Sequence, residues 1–223
     1  MTRTLTVIAH IATPSITVLD RVARANGWAI DLVHPHRGEP LPEQPEAVVV
    51  LGGPQSAYDA QAHPYLTTEI EYIARCHRAG IPMLAICLGS QLLAEALGGS
   101  AVPGESGLEC GFIDVTRIGG ETPLPLPGRY FSFHSDRAEP PSAAQLLATS
   151  DRYLQGWQVG TSVAIQFHPE LDATGINELL DIEGPKLARY GVDVDAIRAA
   201  ADEPGSSDPG ERLLNAWFAT DPA

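Results

Sequence analysis

The sequence predicts an α/β protein with a mostly parallel central sheet and helices on both of its faces. Short apolar segments alternate with amphipathic segments of helical length through the first part of the chain. Two of the apolar segments, 47–51 and 83–86, contain no polar residue, which is typical of strands buried on both faces. Strands that alternate with helices in this way form parallel sheets with right-handed crossovers.

The elements of this first part follow from the apolar pattern and from glycines at the helix ends. Gly27, Gly80 and Gly98 each follow a helical pattern, as glycine commonly does at a helix C-terminus. The predicted strands are 4–9, 29–33, 47–51 and 83–86, and the predicted helices are 15–26, 64–79 and 91–97.

The region from 101 to 167 has a different character, with short strand-like segments separated by proline and glycine. We expect short antiparallel strands added to the sheet rather than a new domain, at 112–116, 130–133, 145–148, 156–159 and 163–167. Helices are predicted at 175–190, 194–201 and 210–219. The prediction is one domain over 1–223, with a core over about 1–190 and a C-terminal helical tail over about 191–223.

The composition argues against membrane insertion, export and nucleic-acid binding. Hydrophobic residues make up 44% of the 223 residues and charged residues 19%, with neither an export leader nor a membrane-length apolar run of about 18 residues. A formal net charge of −14 would repel a phosphate backbone, so nucleic acid is not an expected partner. The 3 cysteines cannot all pair with one another, which fits a reducing compartment. We expect a cytoplasmic protein that acts away from membranes.

Cys87 lies where the fourth predicted strand passes directly into a helix. Ala85 and Gly89, two positions before and after it, are small enough to let strand and helix approach closely, as in a nucleophile elbow. The positive end of the helix dipole stabilises a thiolate at such a corner. The alternative is a small buried side chain without reactivity, which describes most free cysteines.

A cysteine nucleophile needs a base, and the base needs a group that orients it. His168 comes at the end of the last predicted strand. If the backbone stays extended through Pro169, His168 and Glu170 project to the same side, and the carboxylate reaches the imidazole. The alternative is a surface histidine beside a solvated glutamate.

The turn Gly52-Gly53-Pro54 follows the third predicted strand, at the same edge of the sheet as Cys87. The N–H groups of Gly53 and of Leu88 are the two candidate donors to the oxyanion of a tetrahedral intermediate. As a plain turn the glycine pair would be unremarkable, and it lacks the lysine and the spacing of a phosphate-binding loop.

Three segments in this order resemble the class I glutamine amidotransferases: Leu51-Gly-Gly-Pro54, Ala85-Ile-Cys-Leu-Gly-Ser-Gln91 and Gln166-Phe-His-Pro-Glu170. The family pattern reads Gly-x-Cys-x-Gly-x-Gln with a later His-Pro-Glu, and the resemblance covers roughly 4–171. Ala85 takes the place of the first glycine. The resemblance implies a flavodoxin-like fold and a stand-alone member similar to the amidotransferase part of GMP synthase, with no cofactor.

By that resemblance, Cys87 attacks the side-chain amide of glutamine, His168 transfers the proton and Glu170 orients His168. Ammonia leaves, and water hydrolyses a γ-glutamyl thioester. The resemblance also implies a set of substrate-binding residues. These are Gln91, Gln155, Gly156, His134 and Asp136, the last two from a Phe133-His-Ser-Asp136 segment similar to the family's His-Gly-Asp.

The acceptor of the ammonia is left open. Only about fifty residues of predicted helix follow Leu171, too few for an acceptor domain, so a separate synthetase is a possible partner. A γ-glutamyl hydrolase would use the same machinery on a secondary γ-amide. A non-catalytic or redox-sensing domain of the same fold is the alternative from another class. Related peptidases and redox proteins carry a histidine where this chain has Leu88, and together with the intact His-Pro-Glu this favours catalysis.

No metal site is expected. His34-Pro-His36 has the spacing of a ligand pair but no third ligand nearby, and we expect both side chains to be solvated. Cys110 is a second candidate for a reactive thiol, and Cys76 is expected to pack in the core.

Overall fold

The structure, a computed structural model, describes residues 2–220. Met1 and the last part of the predicted tail, 221–223, lie outside the described residues. The strands within 2–220 are β1 (Arg3–Ile8), β2 (Trp28–Val33), β3 (Ala47–Val50), β4 (Met83–Ile86), β5 (Ser100–Pro103), β6 (Glu109–Arg117), β7 (Gly128–His134), β8 (Asp136–Glu139), β9 (Gln145–Thr149), β10 (Leu154–Val159) and β11 (Ser162–Ile165). The α-helices are α1 (Thr17–Ala25), α2 (Tyr65–Arg78), α3 (Leu88–Ala96), α4 (Ala173–Arg189), α5 (Val194–Ala201) and α6 (Asp208–Ala219).

The central sheet has nine strands in the order β2-β1-β3-β4-β11-β10-β9-β6-β7. The pairs from β2 to β11 are parallel, and β10, β9, β6 and β7 extend the sheet in antiparallel pairs. The predicted α/β class is confirmed, with a parallel first part and antiparallel strands contributed by the later region.

The sheet is covered on both faces, because alternate residues of each strand point to opposite sides. Leu5 and Val7 pack in the cluster that contains the apolar side chains of α1 and α6. Ile8, Val48 and Val50 belong to the cluster that contains those of α2 and α3. The last helix packs on the α1 face, where Leu213, Leu214, Trp217 and Phe218 are all buried.

Two strands were not predicted from the sequence. β5 and β8 form a separate two-stranded antiparallel sheet. β5 ends in Pro103, and β8 has the sequence Asp-Arg-Ala-Glu, so neither shows the apolar alternation that marks a strand. Their pairing depends on the packing of distant segments rather than on local propensity.

α3 begins at Leu88, three residues before the predicted start. The carbonyl of Cys87 already accepts the N–H of Gln91 at 3.3 Å, which makes Cys87 the N-cap of this helix.

The parallel strands all end at one edge of the sheet, which determines where the site lies. Residues following β1, β3, β4 and β11 therefore come together there, at the topological switch of the sheet. No helix within residues 2–220 has both the length and the apolar character needed to cross a lipid bilayer.

Candidate active site

Cys87 occupies the sharp corner between β4 and α3. Its backbone has φ 54° and ψ −110°, and it is the only non-glycine residue within 2–220 with a positive φ. Its N–H donates to the carbonyl of Ile165 on β11 (2.9 Å), and its carbonyl accepts the N–H of Ser90 in α3 (3.0 Å). These bonds hold a conformation that costs about 1–3 kcal/mol for a residue with a Cβ.

Gly89 allows α3 to begin at this position. A Cβ on Gly89 would lie 2.2 Å from the carbonyl oxygen of Val50, at the end of β3. Since a backbone carbonyl cannot move aside cheaply, only glycine permits this approach. The expected need for a small residue two positions after Cys87 is confirmed, and the close neighbour is β3.

His168 and Glu170 lie in the loop after β11, and their side chains meet as predicted. His168 Nδ1 is 2.7 Å from Glu170 Oε1, and the two side chains are 11% and 5% exposed. The N–H of His168 donates to the carbonyl of Phe131 on β7 (2.9 Å), which fixes the loop. Because Glu170 occupies Nδ1, the other ring nitrogen is left for Cys87, whose side chain borders the same glycine turn as the His168 ring.

The pKa of His168 is raised well above its ordinary value. Burial by itself disfavours the charged imidazolium, but the Glu170 carboxylate and the sulfur of Cys87 stabilise it by more. The doubly protonated form of the ring is therefore favoured, which suits a partner cysteine that reacts as a thiolate.

The Gly52-Gly53 turn follows β3 and lies against both side chains. A Cβ on Gly52 would lie 3.0 Å from His168 Cε1 and 3.3 Å from Cys87 Cβ. Within the described part of the chain, neither the N–H of Gly53 nor that of Leu88 has a hydrogen-bond partner. Both predicted donors are thus unpaired, and their binding of an oxyanion stays a prediction.

The segment from Phe133 to Asp136 lies beside Cys87, whose Sγ is 3.9 Å from the Phe133 carbonyl oxygen. Gln91 Nε2 donates to the backbone carbonyl of Asp136 (3.2 Å). The Asp136 carboxylate accepts a hydrogen bond from Ser56 Oγ (2.6 Å). The structure therefore brings Gln91 and Asp136 together near the cysteine and adds Ser56, which the sequence analysis did not single out.

His134 belongs to a buried network centred on Glu109. His134 Nδ1 is 2.9 Å from the backbone oxygen of Asp136, and Nε2 is 3.0 Å from Glu109 Oε2. Glu109 also accepts hydrogen bonds from Gln155 Nε2 (2.7 Å) and Ser150 Oγ (2.8 Å). Burial opposes ionisation of Glu109, but the bonds from His134 and Ser150 outweigh it and hold the pKa of this carboxyl below its usual range.

Gln155 and Gly156 on β10 have neighbours other than Cys87. The Gln155 side chain donates its hydrogen bond to Glu109. A Cβ on Gly156 would lie 3.6 Å from side-chain atoms of Ala148 and Leu126. Their role as substrate-binding residues stays a prediction.

The remaining histidines that were considered in the sequence have structural partners. His34 is buried, with Nδ1 3.3 Å from Glu39 Oε2, and His36 Nδ1 is 3.2 Å from the carbonyl oxygen of Ala9. The expectation of a solvated side chain is therefore wrong for His34. Within residues 2–220, no group of three or more His, Cys, Asp or Glu side chains is arranged to hold a metal ion.

The other two cysteines differ from Cys87 in their surroundings. Cys76 is buried in the core between α2 and the sheet, as predicted. Burial raises the pKa of the Cys110 thiol to about 11, so this half-buried cysteine stays protonated at neutral pH. That pKa argues against the hypothesis of a second reactive thiol.

A family model described as glutamine amidotransferase class-I matches residues 16–180. The chain belongs to the class I glutamine amidotransferase family. The part of this amidotransferase that the family model covers contains Cys87, His168 and Glu170.

The relatives of this class I amidotransferase include proteins of two kinds. The glutamine-hydrolysing GMP synthase of Thermomicrobium roseum is 30% identical over 142 residues, which cover 61% of this chain and 25% of the synthase. A gamma-glutamyl-L-1-hydroxyisopropylamide hydrolase of a Pseudomonas species is 28% identical over 141 residues, which cover 56% of this chain and 47% of the hydrolase. The chain thus matches about a quarter to a half of the length of these relatives.

Among solved structures, a glutamine amidotransferase from Thermotoga maritima is similar along nearly the whole chain. The TM-score is 0.89 at 28% sequence identity, and the alignment covers 98% of this chain and 97% of that one.

Proposed function

We propose that the protein hydrolyses the γ-amide of glutamine through a covalent γ-glutamyl thioester, with Cys87 as nucleophile. The observation that carries the proposal is the arrangement around His168. One ring nitrogen is 2.7 Å from the buried carboxylate of Glu170, and the same ring lies beside Cys87, since a Cβ on Gly52 would lie 3.0 Å from His168 Cε1 and 3.7 Å from Cys87 Sγ. A nucleophile, a base and an orienting acid in this order make up a catalytic triad.

The chemistry follows from the charges in the site. The Cys87 thiolate attacks the amide carbon, and negative charge develops on the carbonyl oxygen, where the N–H groups of Gly53 and Leu88 receive it. The His168 imidazolium gives its proton to the departing nitrogen, and ammonia leaves. The neutral imidazole then takes a proton from water, which attacks the thioester and releases glutamate. Glu170 keeps the ring oriented and favours its charged form in both steps.

Substrate binding is assigned to Gln91 and Asp136. These residues are held together beside Cys87, and Ser56 fixes the Asp136 carboxylate. A partly buried carboxylate at this position suits the α-ammonium group that glutamine and every γ-glutamyl compound carry.

A second candidate is hydrolysis of a secondary γ-glutamyl amide. It is favoured by the similarity to the Pseudomonas hydrolase, whose name identifies a substituted γ-glutamyl amide as its substrate. The triad would act in the same way, with an amine as leaving group instead of ammonia. If glutamine is the substrate, delivery of the ammonia to a separate synthetase is part of the proposal, by analogy with the GMP synthase relatives.

The test compares release of ammonia from glutamine with release of amine from a panel of γ-glutamyl alkylamides. C87A should lose at least about 10³-fold in kcat with the preferred substrate. C110A should keep its activity, because the Cys110 thiol is protonated and takes no part. A diazo-ketone analogue of glutamine should label wild type and C110A at Cys87, but not C87A.

Hydrolysis that survives in C87A would contradict the proposed nucleophile. Faster turnover of the alkylamides than of glutamine would select the second candidate. Absence of turnover on both substrate classes, with the folded protein, would favour a non-catalytic role.

A further inference from the structure

A further buried histidine–carboxylate pair, besides those of the triad and of Glu109, lies behind the glycine turn. His10 follows β1, and Glu69 lies in the middle of α2. His10 Nε2 is 2.9 Å from Glu69 Oε1, and both side chains are fully buried. A buried ion pair of this kind is expensive to desolvate, so its presence beside the candidate site calls for an explanation.

The other ring nitrogen of His10 contacts the glycine turn. His10 Nδ1 is 3.2 Å from the carbonyl oxygen of Gly52. That oxygen can only accept, so Nδ1 must carry a hydrogen for this contact to be favourable. The contact between Nε2 and the Glu69 carboxylate also needs one proton. That proton completes the hydrogen bond whether it is bound to the nitrogen or to the oxygen. The pair as a whole therefore holds one proton more than a neutral imidazole beside an ionised carboxylate.

The pKa of His10 agrees with this geometry. Burial alone would lower the pKa of His10, but the Glu69 carboxylate and the Gly52 carbonyl outweigh it, and the pKa is raised.

The hydrogen bond from His10 to the Gly52 carbonyl also determines the direction in which the Gly53 N–H points. In a trans peptide the C=O and the N–H point in opposite directions, and no cis peptide occurs within the described residues. Holding the Gly52 carbonyl on His10 thus directs the Gly53 N–H away from His10. Gly53 packs tightly on the same residue, since a Cβ on it would lie 2.5 Å from His10 Cβ. Gln55 Nε2 adds a bond to the His10 carbonyl (3.2 Å).

We infer that His10 and Glu69 are positioning residues for the reaction, which hold the Gly52–Gly53 peptide so that its N–H faces the developing oxyanion at Cys87. This inference rests on the proposed function, because it assigns a role in the acyl-transfer step. Neither side chain touches substrate. Their effect is to fix a donor that would otherwise belong to a mobile glycine turn.

Replacing His10 by asparagine or by glutamine keeps one of the two hydrogen bonds of the imidazole and removes the other. The nitrogen of asparagine matches the position of Nδ1, and the nitrogen of glutamine matches that of Nε2. H10N therefore keeps a donor to Gly52 and loses the one to residue 69, whereas H10Q does the reverse. Both are made with E69Q, so that no unpaired carboxylate is left in the core. H77Q is the matched control, because His77 bonds Ser162 Oγ (2.9 Å) at the amino end of β11, the opposite edge of the sheet.

Two experiments are made on each variant: steady-state kinetics, which give kcat and KM for the preferred amide, and the rate of Cys87 alkylation by iodoacetamide. Alkylation needs the thiolate but no oxyanion donors. H10Q/E69Q should lose about 10²-fold in kcat relative to H10N/E69Q, with KM changed by less than about threefold. Alkylation should stay equal in the two double variants, and H77Q should match wild type in both rates.

Equal kcat in the two double variants would overturn the inference. So would a parallel fall of kcat and alkylation in H10Q/E69Q, since that result means a general disturbance of the site. If H10Q/E69Q does not fold, the single variant E69Q decides: kcat should fall by about tenfold with KM and alkylation unchanged, and an unchanged kcat contradicts the assignment. Failure of the proposed function is recognised separately, because wild type would then turn over neither glutamine nor the γ-glutamyl amides.

Discussion

Replacing Cys87 by glycine should inactivate the protein and yet leave it more stable than replacing it by alanine. The reason is the backbone at this corner, where φ is 54° and ψ is −110°. That region favours glycine, and a residue with a Cβ is held there only by the surrounding hydrogen bonds. Alanine keeps the Cβ and the strain, whereas glycine removes both.

The expected difference in the free energy of unfolding has opposing parts, because C87G and C87A differ only in the Cβ. Both lose the sulfur and its contact with His168, so these contributions cancel. Relief of the strain favours glycine by about 1–3 kcal/mol. The greater freedom of glycine in the unfolded chain costs about 0.5–1 kcal/mol. The loss of the buried Cβ costs about a further 0.8 kcal/mol. C87G should therefore exceed C87A by about 0.5 kcal/mol in the free energy of unfolding, or about 1–2 °C in Tm for a chain of this size.

Urea and thermal unfolding of the two variants at neutral pH would measure this difference. The control is A85G, on β4 two residues earlier, where the backbone is an ordinary strand and the side chain is buried. A85G should be less stable than wild type by about 1 kcal/mol or more. If C87G is also less stable than C87A, by an amount similar to the loss in A85G, the strain at Cys87 has no energetic weight and the reasoning is refuted.

Three further predictions concern the groups around this corner. E170Q removes the carboxylate that helps raise the pKa of His168, so the alkaline limb of the kcat/KM profile against pH should move to lower pH. Turnover should also fall by about 10²–10⁴-fold. An unshifted limb would contradict the effect of Glu170 on the pKa of His168. G89A should lose about 3 kcal/mol or more in urea unfolding, because its Cβ would overlap the carbonyl of Val50, and a loss below 1 kcal/mol would show that α3 can shift freely. E109Q should lose about 2–3 kcal/mol at neutral pH. Because the folded-state pKa of Glu109 is lowered from 4.5, the stability advantage of wild type should be complete above that pH and should shrink as the pH falls through the folded-state value; an advantage independent of pH would refute this.

Most of the fold could be predicted because its strands are apolar runs of the right length. β4 occupies the predicted 83–86, and the other parallel strands agree to within one or two residues. The error at the start of α3 has a specific cause. The sequence after Cys87 contains Gly and Ser, which are weak helix formers, and the helix begins there because the corner itself caps it.

The site was predictable where its contacts are local. The meeting of His168 and Glu170 follows from their spacing alone, and the unpaired N–H of Leu88 follows from its place at a helix N-terminus. Glu109 gave no such signal. It reaches Gln155 across 46 positions in the sequence, and its neighbour Cys110 suggested reactivity that burial removes.

Three contacts between histidines and buried glutamates around Cys87 have the same arrangement. In each, one ring nitrogen meets a buried glutamate: His168 with Glu170 (2.7 Å), His10 with Glu69 (2.9 Å) and His134 with Glu109 (3.0 Å). The other nitrogen meets the Gly52 carbonyl in the case of His10 and the Asp136 carbonyl in the case of His134, and in His168 it is left for Cys87.

The acid in each pair fixes the orientation of a ring that then holds the nucleophile, the glycine turn or the segment carrying Asp136. The partners are separated by 2, 59 and 25 positions in the sequence. Only the first separation can be interpreted from sequence without knowledge of the sheet order, which is why one pair of the three was predicted. The other two arise because β1, α2, β6 and β7 bring their histidines and glutamates to the same edge as the elbow. The rigidity of this site therefore depends on the topology of the sheet as much as on its sequence motifs.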